Sequence, residues 1–161
     1  MTMDAVHPRV LGDLGRALSL ELTAVQQYMT QASLVELWGD QASADRFRSE
    51  TVEELQHAER IVQRMLSLGM APAASQLQPA THAGDLVGLL EQNAELEQQL
   101  VDHYSQASRF CTLINDRSNG DFFAALLEDE QHHSRDLEAW LQELGGRRNR
   151  GYRRYGGRAS F

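Results

Sequence analysis

The sequence predicts an all-α protein, a four-helix bundle with one long crossover between its second and third helices. Three observations lead to this fold class. Apolar residues recur at helical spacing over four long stretches, and the connections after the first and third stretches are short. The connection after the second stretch is long and contains two prolines, which the interior of a helix does not tolerate. We expect no strand, no internal sequence repeat and no low-complexity segment within the bundle.

Proline and glycine delimit the first two helices. Helix α1 is expected over residues 8–38, with Pro8 in its first turn and Gly39 directly after its end. Helix α2 is expected over residues 42–68 and ends at Gly69, because glycine readily adopts the left-handed conformation that terminates a helix. At about 1.5 Å per residue, each helix spans about 40 Å.

The second half of the chain supplies two more helices. After a 14-residue connection at residues 70–83, helix α3 is expected over residues 85–114. Residues 115–120, with the sequence NDRSNG, predict a tight turn; helix α4 follows over residues 121–144, and the glycine pair at 145–146 ends it. Short connections force antiparallel neighbours, whereas the 14-residue connection can run the length of the bundle and make α2 and α3 parallel.

Composition indicates the number of domains, the compartment and the absence of a membrane span. With 161 residues and one cysteine, Cys111, the chain is expected to form one domain without a disulfide or a Cys-rich metal site, in a reducing and therefore cytoplasmic compartment. The first residues lack the layout of a secretory signal, and no apolar run approaches the roughly 20 residues that a membrane span needs. We therefore expect no membrane partner.

The basic residues are unevenly distributed. All 15 are Arg: nine lie in residues 1–146 against 23 acids, a net charge of −14, and six lie in residues 147–161. The sequence thus predicts an acidic helical bundle over residues 1–146 and an Arg/Gly-rich tail over residues 147–161. The bundle favours cations over nucleic acid. The tail is interpreted as solvated, with contact to an acidic partner, to nucleic acid or to neighbouring subunits as alternatives.

Two Glu-x-x-His pairs lie near the middle of their helices. Glu54 and His57 belong to α2, and Glu130 and His133 belong to α4. Residues three apart in a helix lie one turn apart on neighbouring faces, so each pair can present two ligands to one point. A single pair of this kind is usually a surface accident, but two pairs at the same height of a bundle are typical of dinuclear metal proteins.

Helices α1 and α3 each carry a Glu at the same height. Glu21 and Glu97 are flanked by leucines and valines at core spacing, which predicts that their carboxylates are buried. Four buried carboxylates repel one another unless cations neutralise them, and ligands without thiolate suit iron or manganese. The predicted metal ligands are Glu21, Glu54, His57, Glu97, Glu130 and His133.

From about residue 5 to residue 144 the sequence resembles the bacterioferritins, ferritin-like proteins that oxidise and store iron. The resemblance lies in the stretches LGRALSLELTAVQQYMTQASLVELWG, SETVEELQHAERIVQRML, NAELEQQLVDHYSQA and LLEDEQHHSRDLEAWL. It implies a ferritin-like fold and a ferroxidase centre in which Glu54 and Glu130 bridge two iron ions. Glu21 and Glu97 are then terminal ligands.

Four further residues are candidates for supporting roles. Tyr28 lies two turns after Glu21 and is predicted to donate a hydrogen bond or an electron near the centre, with a plain core aromatic as the alternative. Tyr104 stands in the same relation to Glu97. A ligating His needs an acceptor on its other ring nitrogen, for which Glu53 and Asp129 are the candidates.

Two departures from the resemblance bear on cofactors and partners. Bacterioferritins bind haem between two subunits through a Met directly after the bridging Glu of the second helix, where this sequence has Leu55. A homo-oligomer is therefore expected to lack Met-ligated haem, and a mixed oligomer with a haem-binding subunit is an alternative. The family's short fifth helix, which helps close a 24-subunit cage, is replaced by the Arg-rich tail.

The leading hypothesis is iron storage and detoxification by a ferroxidase that oxidises Fe(II) with O2 or H2O2 at a dinuclear centre. The alternatives are a rubrerythrin-like di-iron peroxidase and a dimanganese catalase. A non-catalytic alternative is an interaction protein that acts through its tail while metals only brace the bundle.

Overall fold

The structure is a computed structural model that describes residues 5–73 and 75–155, with side chains as far as Gly145. Its described residues contain no strand, in agreement with the predicted all-α class. The four helices are α1, Pro8–Leu37; α2, Gln41–Ser67; α3, Leu86–Leu113; and α4, Arg117–Tyr155. Both limits of α1, α2 and α3 lie within one residue of those expected.

Each helix begins at a side chain that accepts a hydrogen bond from a free backbone N–H of the first turn. His7 accepts from the N–H of Arg9 at 3.1 Å ahead of Pro8, and Asp40 accepts from the N–H of Ser43 at 3.0 Å. Such bonds stabilise a helix start, where four N–H groups have no partner within the helix. Asp85 and Asp116 serve α3 and α4 in the same way.

Left-handed residues follow the ends of the first three helices. Gly39 and Gly69 have φ of 83° and 74°, and Asn115 has φ of 59°. Glycine tolerates this conformation because it has no Cβ, and asparagine because its short polar side chain can hydrogen-bond to the nearby backbone. The helix stops predicted at the two glycines are confirmed.

The predicted limits of α4 are wrong at both ends. The turn is shorter than NDRSNG, because Asp116 caps the helix and α4 already begins at Arg117. The helix also continues through the glycine pair 145–146 to Tyr155. Glycine costs only about 1 kcal/mol in a helix interior, and the Arg residues that follow are good helix formers. Residues 156–161 of the predicted tail lie outside the described residues, and the division into bundle and tail stays a prediction.

Contacts between helices establish the predicted topology. Helices α1 and α3 are antiparallel. Arg9 near the start of α1 contacts Phe110 near the end of α3, and Gln31 near the end of α1 contacts Asn93 near the start of α3. Helix α2 is antiparallel to both α1 and α4, and α4 is antiparallel to α3, so α2 and α3 are parallel, as predicted. The crossover between them packs along α1, where the N–H of Gln76 donates to the Ser19 hydroxyl at 3.0 Å.

Buried apolar layers fill the bundle on both sides of its midpoint. Leu14, Phe47, Ile61, Leu90 and Phe123 are among the fully buried side chains. No helix in the described part of the chain is long and apolar enough to cross a membrane. The middle layer is polar instead, and the four helices hold it between these apolar layers.

Candidate metal centre

Six polar side chains from the four helices meet in the middle layer. The four carboxylates are at most 1% exposed, and the two imidazoles are 6–10% exposed. Their ligand atoms form two groups, each with all members within 4.8 Å of one another. One group is Glu21, Glu54, His57 and Glu130, and the other is Glu54, Glu97, Glu130 and His133. Two residues, Glu54 and Glu130, belong to both groups, which is the position of a carboxylate that bridges two cations.

The Nδ1 atom of each imidazole faces the carboxylates. His57 Nδ1 lies 2.9 Å from Glu130 Oε1 and 3.4 Å from Glu54 Oε2. His133 Nδ1 lies 2.9 Å from Glu54 Oε1 and 3.5 Å from Glu130 Oε2. Each imidazole thus contacts both shared carboxylates, the one on its own helix and the one on the opposite helix.

Although His133 Nδ1 lies 2.9 Å from Glu54 Oε1, most of these buried atoms form no hydrogen bond of adequate geometry. They are Glu21 Oε2, both Glu54 oxygens, Glu97 Oε2, Glu130 Oε2 and His133 Nδ1. Unpaired buried polar atoms cost free energy and are rare in folded proteins. Carboxylate and imidazole atoms arranged in this way fit two divalent cations, with iron or manganese favoured because thiolates are absent from the set.

Two tyrosines brace the outer carboxylates across the bundle. The hydroxyl of Tyr28 on α1 donates to Glu97 Oε1 on α3, and the hydroxyl of Tyr104 on α3 donates to Glu21 Oε1 on α1 at 2.5 Å. Both tyrosines are buried. Each was predicted from its spacing to a Glu on its own helix, whereas each contacts the Glu of the opposite helix.

The outward nitrogens of the imidazoles face the two predicted acids. His57 Nε2 lies 3.5 Å from Asp129 Oδ2, and His133 Nε2 lies 2.6 Å from Glu53 Oε2. A carboxylate in this position orients the ring and raises its basicity as a metal ligand. Both acids line a groove of about 420 Å³ between α2 and α4, which opens to solvent above the imidazoles.

Three of the four carboxylates, those of Glu54, Glu97 and Glu130, have raised pKa values when no cation is present. Burial and then the charge of Glu21 raise the pKa of Glu54 to about 8, and burial and the charge of Glu54 raise that of Glu130 to about 7. Burial and the charge of Glu130 raise the pKa of Glu97 well above its usual value. The pKa of Glu21 is lowered instead, because its contacts with Glu54 and His57 outweigh burial.

The imidazoles are protonated in the same state. Burial by itself lowers the pKa of His133, but its contacts with Glu130 and Glu54 raise it overall to about 12. The pKa of His57 is raised for the same reason, chiefly by its hydrogen bond to Glu130. Divalent cations must therefore displace protons from these groups in order to bind.

Comparisons with known proteins agree with this geometry. The family model of the ferritin-like domain matches residues 12–146. Bacterioferritin of Rhodobacter capsulatus is 32% identical over 133 residues, with 83% of each chain covered. Bacterioferritin of Brucella melitensis is 30% identical over 138 residues, with 86% of each chain covered. The chain belongs to the bacterioferritin family.

A solved bacterioferritin also shares the fold. The structure of Rhodobacter capsulatus bacterioferritin, described with a metal-free dinuclear site and a haem iron, superposes with a TM-score of 0.82 at 30% identity. The match covers 86% of this chain and 87% of that one. The predicted ferritin-like fold class and the resemblance to bacterioferritins are therefore confirmed.

The structure brings all six predicted ligands of the bacterioferritin centre together, and their binding of metal stays a prediction. Sequence reasoning missed Arg60, whose guanidinium donates to Asp129 Oδ2 at 2.8 Å. It also missed Glu50, which shares a third group of ligand atoms with Glu53 and His133.

A constant spacing of 76 residues relates the predicted site residues of the two halves of the chain, and sequence reasoning overlooked it. The predicted ligands and tyrosines of α1 and α2 have counterparts 76 residues later, as in Glu21 and Glu97, His57 and His133, and Tyr28 and Tyr104. The spacing relates individual positions of α1 and α2 to positions of α3 and α4. The positions where the match fails are informative, and Arg60 is one of them.

Proposed function

We propose that this member of the bacterioferritin family stores iron and acts as a ferroxidase, oxidising Fe(II) to Fe(III) with O2 or H2O2. The observation that carries the proposal is the buried cluster of six convergent side chains whose carboxylate oxygens lack partners. Held there, two Fe(II) ions supply one electron each, and O2 takes two electrons and two protons to become H2O2, or H2O2 takes them to become two waters.

The residues of the chain have distinct roles in this proposal. Glu54 and Glu130 bridge, because both lie within reach of either imidazole. Glu21 and Glu97 are terminal ligands. With neutral imidazoles, the four carboxylates balance the four positive charges of two divalent ions and favour the higher charge of the oxidised pair.

Tyrosine and groove residues complete the site. Tyr28 holds Glu97 in place through its hydroxyl, and we include it among the catalytic residues as a candidate electron donor. The groove above the imidazoles gives substrate Fe(II) a polar route from solvent. The apolar layers on either side exclude bulk water from the centre.

One experiment tests the proposed function. Fe(II) is added aerobically to the purified apoprotein, ferric absorbance is followed, and the product is sized. A fast phase that ends at about two irons per chain, followed by slow growth of a large particle, is expected for a dinuclear storage protein. Peroxide-dependent turnover in a small oligomer without mineral growth contradicts storage and supports the peroxidase alternative. A native preparation that contains manganese and decomposes H2O2 supports the catalase alternative.

We infer that a homo-oligomer of this chain lacks Met-ligated haem. Leu55 follows the bridging Glu54, is 52% exposed on the outer face of α2 and has no atom that can ligate iron. The family suggests an oligomeric cage, for which we propose 24 copies or a mixed oligomer with a haem-binding bacterioferritin subunit. The variant Leu55→Met is expected to gain a haem absorption band after incubation with haemin. Haem bound equally by both forms contradicts the inference.

We also infer that residues 147–161 act separately from the bundle. They contain six Arg and no acid. Electrostatic contact with an acidic surface, such as the bundle of a neighbouring subunit, fits this charge. A cytoplasmic location is part of the same proposal and is drawn from the family and from the single cysteine.

A further inference from the structure

The two halves of the metal centre match in their ligands but not in the charges around them. The 76-residue spacing pairs Glu53 with Asp129, so each imidazole has an acid on its outward nitrogen. One turn further along, the same spacing pairs Arg60 with Asp136. Equivalent positions beside equivalent imidazoles thus carry opposite charges.

On the His57 side, the acid that contacts the imidazole is itself paired with a cation. Asp129 Oδ2 lies 3.5 Å from His57 Nε2 and 2.8 Å from Arg60 Nη1, so one oxygen serves both groups. Arg60 therefore neutralises the acid that would otherwise make His57 more basic. Because its guanidinium lies just outside the imidazole, it also repels a divalent ion bound at Nδ1.

On the His133 side, acids surround the imidazole. Glu53 contacts Nε2 at 2.6 Å, and Glu50 offers an oxygen within 4.8 Å of the ligand atoms of Glu53 and His133. Asp136 lies 3.7 Å from His132, and its charge also acts on Glu50. The nearby cation, Arg46, lies over the ring of Trp140 at 3.9 Å and its charge acts on Glu50. The acid beside His57, Asp129, is thus ion-paired with Arg60, whereas Glu53 and Glu50 lie together beside His133.

These surroundings have a direct effect on cation affinity. An uncompensated carboxylate behind a ligating imidazole raises its basicity, and loss of such a partner typically weakens metal binding. Nearby negative charge attracts a divalent ion, and nearby positive charge repels it. Both effects favour the His133 side.

We propose that Arg60 makes the two metal positions unequal, so that the position at His133 binds a divalent cation first and the position at His57 fills second. The proposal rests on the dinuclear centre of the proposed function but not on oxidation, and it assigns Arg60 a positioning role that acts through Asp129. The first cation is bound by Glu54, Glu97, Glu130 and His133.

The test is an anaerobic calorimetric titration of the full-length apoprotein with Zn(II), which undergoes no redox reaction. The wild type is expected to show two steps of unequal affinity. Arg60→Gln is expected to tighten the second step about fivefold and leave the first unchanged, because the exposed pair of Arg60 and Asp129 is partly screened by solvent. Arg60→Lys keeps the charge and is expected to retain the unequal steps.

Arg135→Gln is the matched control. Arg135 lines the same groove but is exposed, so solvent screens its charge, and its replacement leaves the contacts of Asp129 undisturbed. Neither binding step is expected to change. Equal effects of Arg60→Gln and Arg135→Gln overturn the proposal, as does an Arg60→Gln variant whose second step is unchanged or weaker. Thermal unfolding of each apoprotein verifies that the variants fold.

A second readout identifies the positions directly. Crystals of the apoprotein are soaked with one equivalent of Zn(II) per chain, and anomalous scattering is measured at the zinc edge. Higher occupancy beside His133 Nδ1 than beside His57 Nδ1 supports the proposal, and equal or reversed occupancy overturns it. Failure of Fe(II) oxidation in a protein that still shows the unequal steps contradicts the ferroxidase function but not this inference.

Discussion

Two buried polar clusters lie one helical turn apart between α1 and α3, and they satisfy their polar atoms in different ways. The metal centre contains four carboxylates and two imidazoles, several of whose atoms have no partner. The neighbouring amide cluster consists of Gln27, Gln31 and Asn93, all at most 3% exposed.

The amide groups of this cluster are hydrogen-bonded to one another. Asn93 Oδ1 accepts from Gln27 Nε2 at 2.7 Å and from Gln31 Nε2 at 2.8 Å, and Asn93 Nδ2 donates to Gln31 Oε1 at 2.7 Å. These bonds join α1 to α3 next to Glu97. Amides carry both donors and acceptors, so such a cluster needs nothing from outside the chain.

The metal centre cannot pair its own polar atoms, because ionised carboxylates only accept hydrogen bonds. Its acceptors are filled by protons or by cations. A buried polar cluster that pairs its own atoms therefore stabilises the fold, whereas one that leaves acceptors unpaired is built for a ligand. Variants of the two clusters should accordingly change stability and cation binding in opposite directions.

The largest effect is expected from Glu54→Gln combined with Glu130→Gln. The double variant removes both shared charges, so Zn(II) binding should weaken by more than about 100-fold, beyond the 10–100-fold typical of lost outer partners. The apoprotein should become more stable at alkaline pH, above the pKa of Glu54 of about 8, because the repulsion between the buried carboxylates is relieved there. Calorimetry and thermal unfolding measure the two effects. Glu59→Gln, an exposed position on α2, should change neither, and a less stable double variant contradicts the comparison.

Asn93→Leu is expected to have the opposite effect. It leaves the amides of Gln27 and Gln31 without their partner, which should cost about 2–4 kcal/mol of stability, while the Zn(II) stoichiometry is retained. Thermal and chemical unfolding of the apoprotein measure the loss. Replacing all three amides by Leu should recover most of it, because no buried polar atom is then left unpaired. Loss of zinc binding in Asn93→Leu contradicts a purely structural role.

The stability of the apoprotein should fall as pH rises from about 5 to about 9. The folded-state pKa of Glu54, about 8, lies above its ordinary value of 4.5, so the stability from its bound proton is lost as pH rises through 8. The folded-state pKa of His133, about 12, lies above 6.5, so its contribution also declines above pH 6.5. Thermal unfolding across this range tests the sign. The triple Leu variant of the amide cluster should show the same slope, and a flat profile contradicts the proton assignment.

The smallest effect is expected from Tyr28→Phe. The variant removes one hydrogen bond to Glu97, so Zn(II) affinity should fall about tenfold or less. Tyr104→Phe removes the equivalent bond to Glu21 and should cost a similar amount. Stopped-flow measurement of Fe(II) oxidation then separates the two proposed roles of Tyr28. Its role as an electron donor requires Tyr28→Phe to slow oxidation more than Tyr104→Phe does, and equal rates contradict that role.

Part of this architecture is local and could be predicted. Helix limits depend on nearby residues such as Pro8, Gly39 and Gly69, and the prediction is confirmed there. The end of α4 could not be predicted from the glycine pair, because glycine terminates a helix only when it adopts the left-handed conformation.

The sequence by itself determined the four-helix topology and the six candidate ligands. Helical periodicity places residues three apart beside each other, and connection length sets the direction of the next helix. Only the tertiary structure decided which contacts form between helices. These are the bond from each tyrosine to the Glu of the opposite helix, the amide cluster, and the contact of Arg60 with Asp129. These contacts depend on the rotation and register of packed helices, which spacing along one helix does not specify.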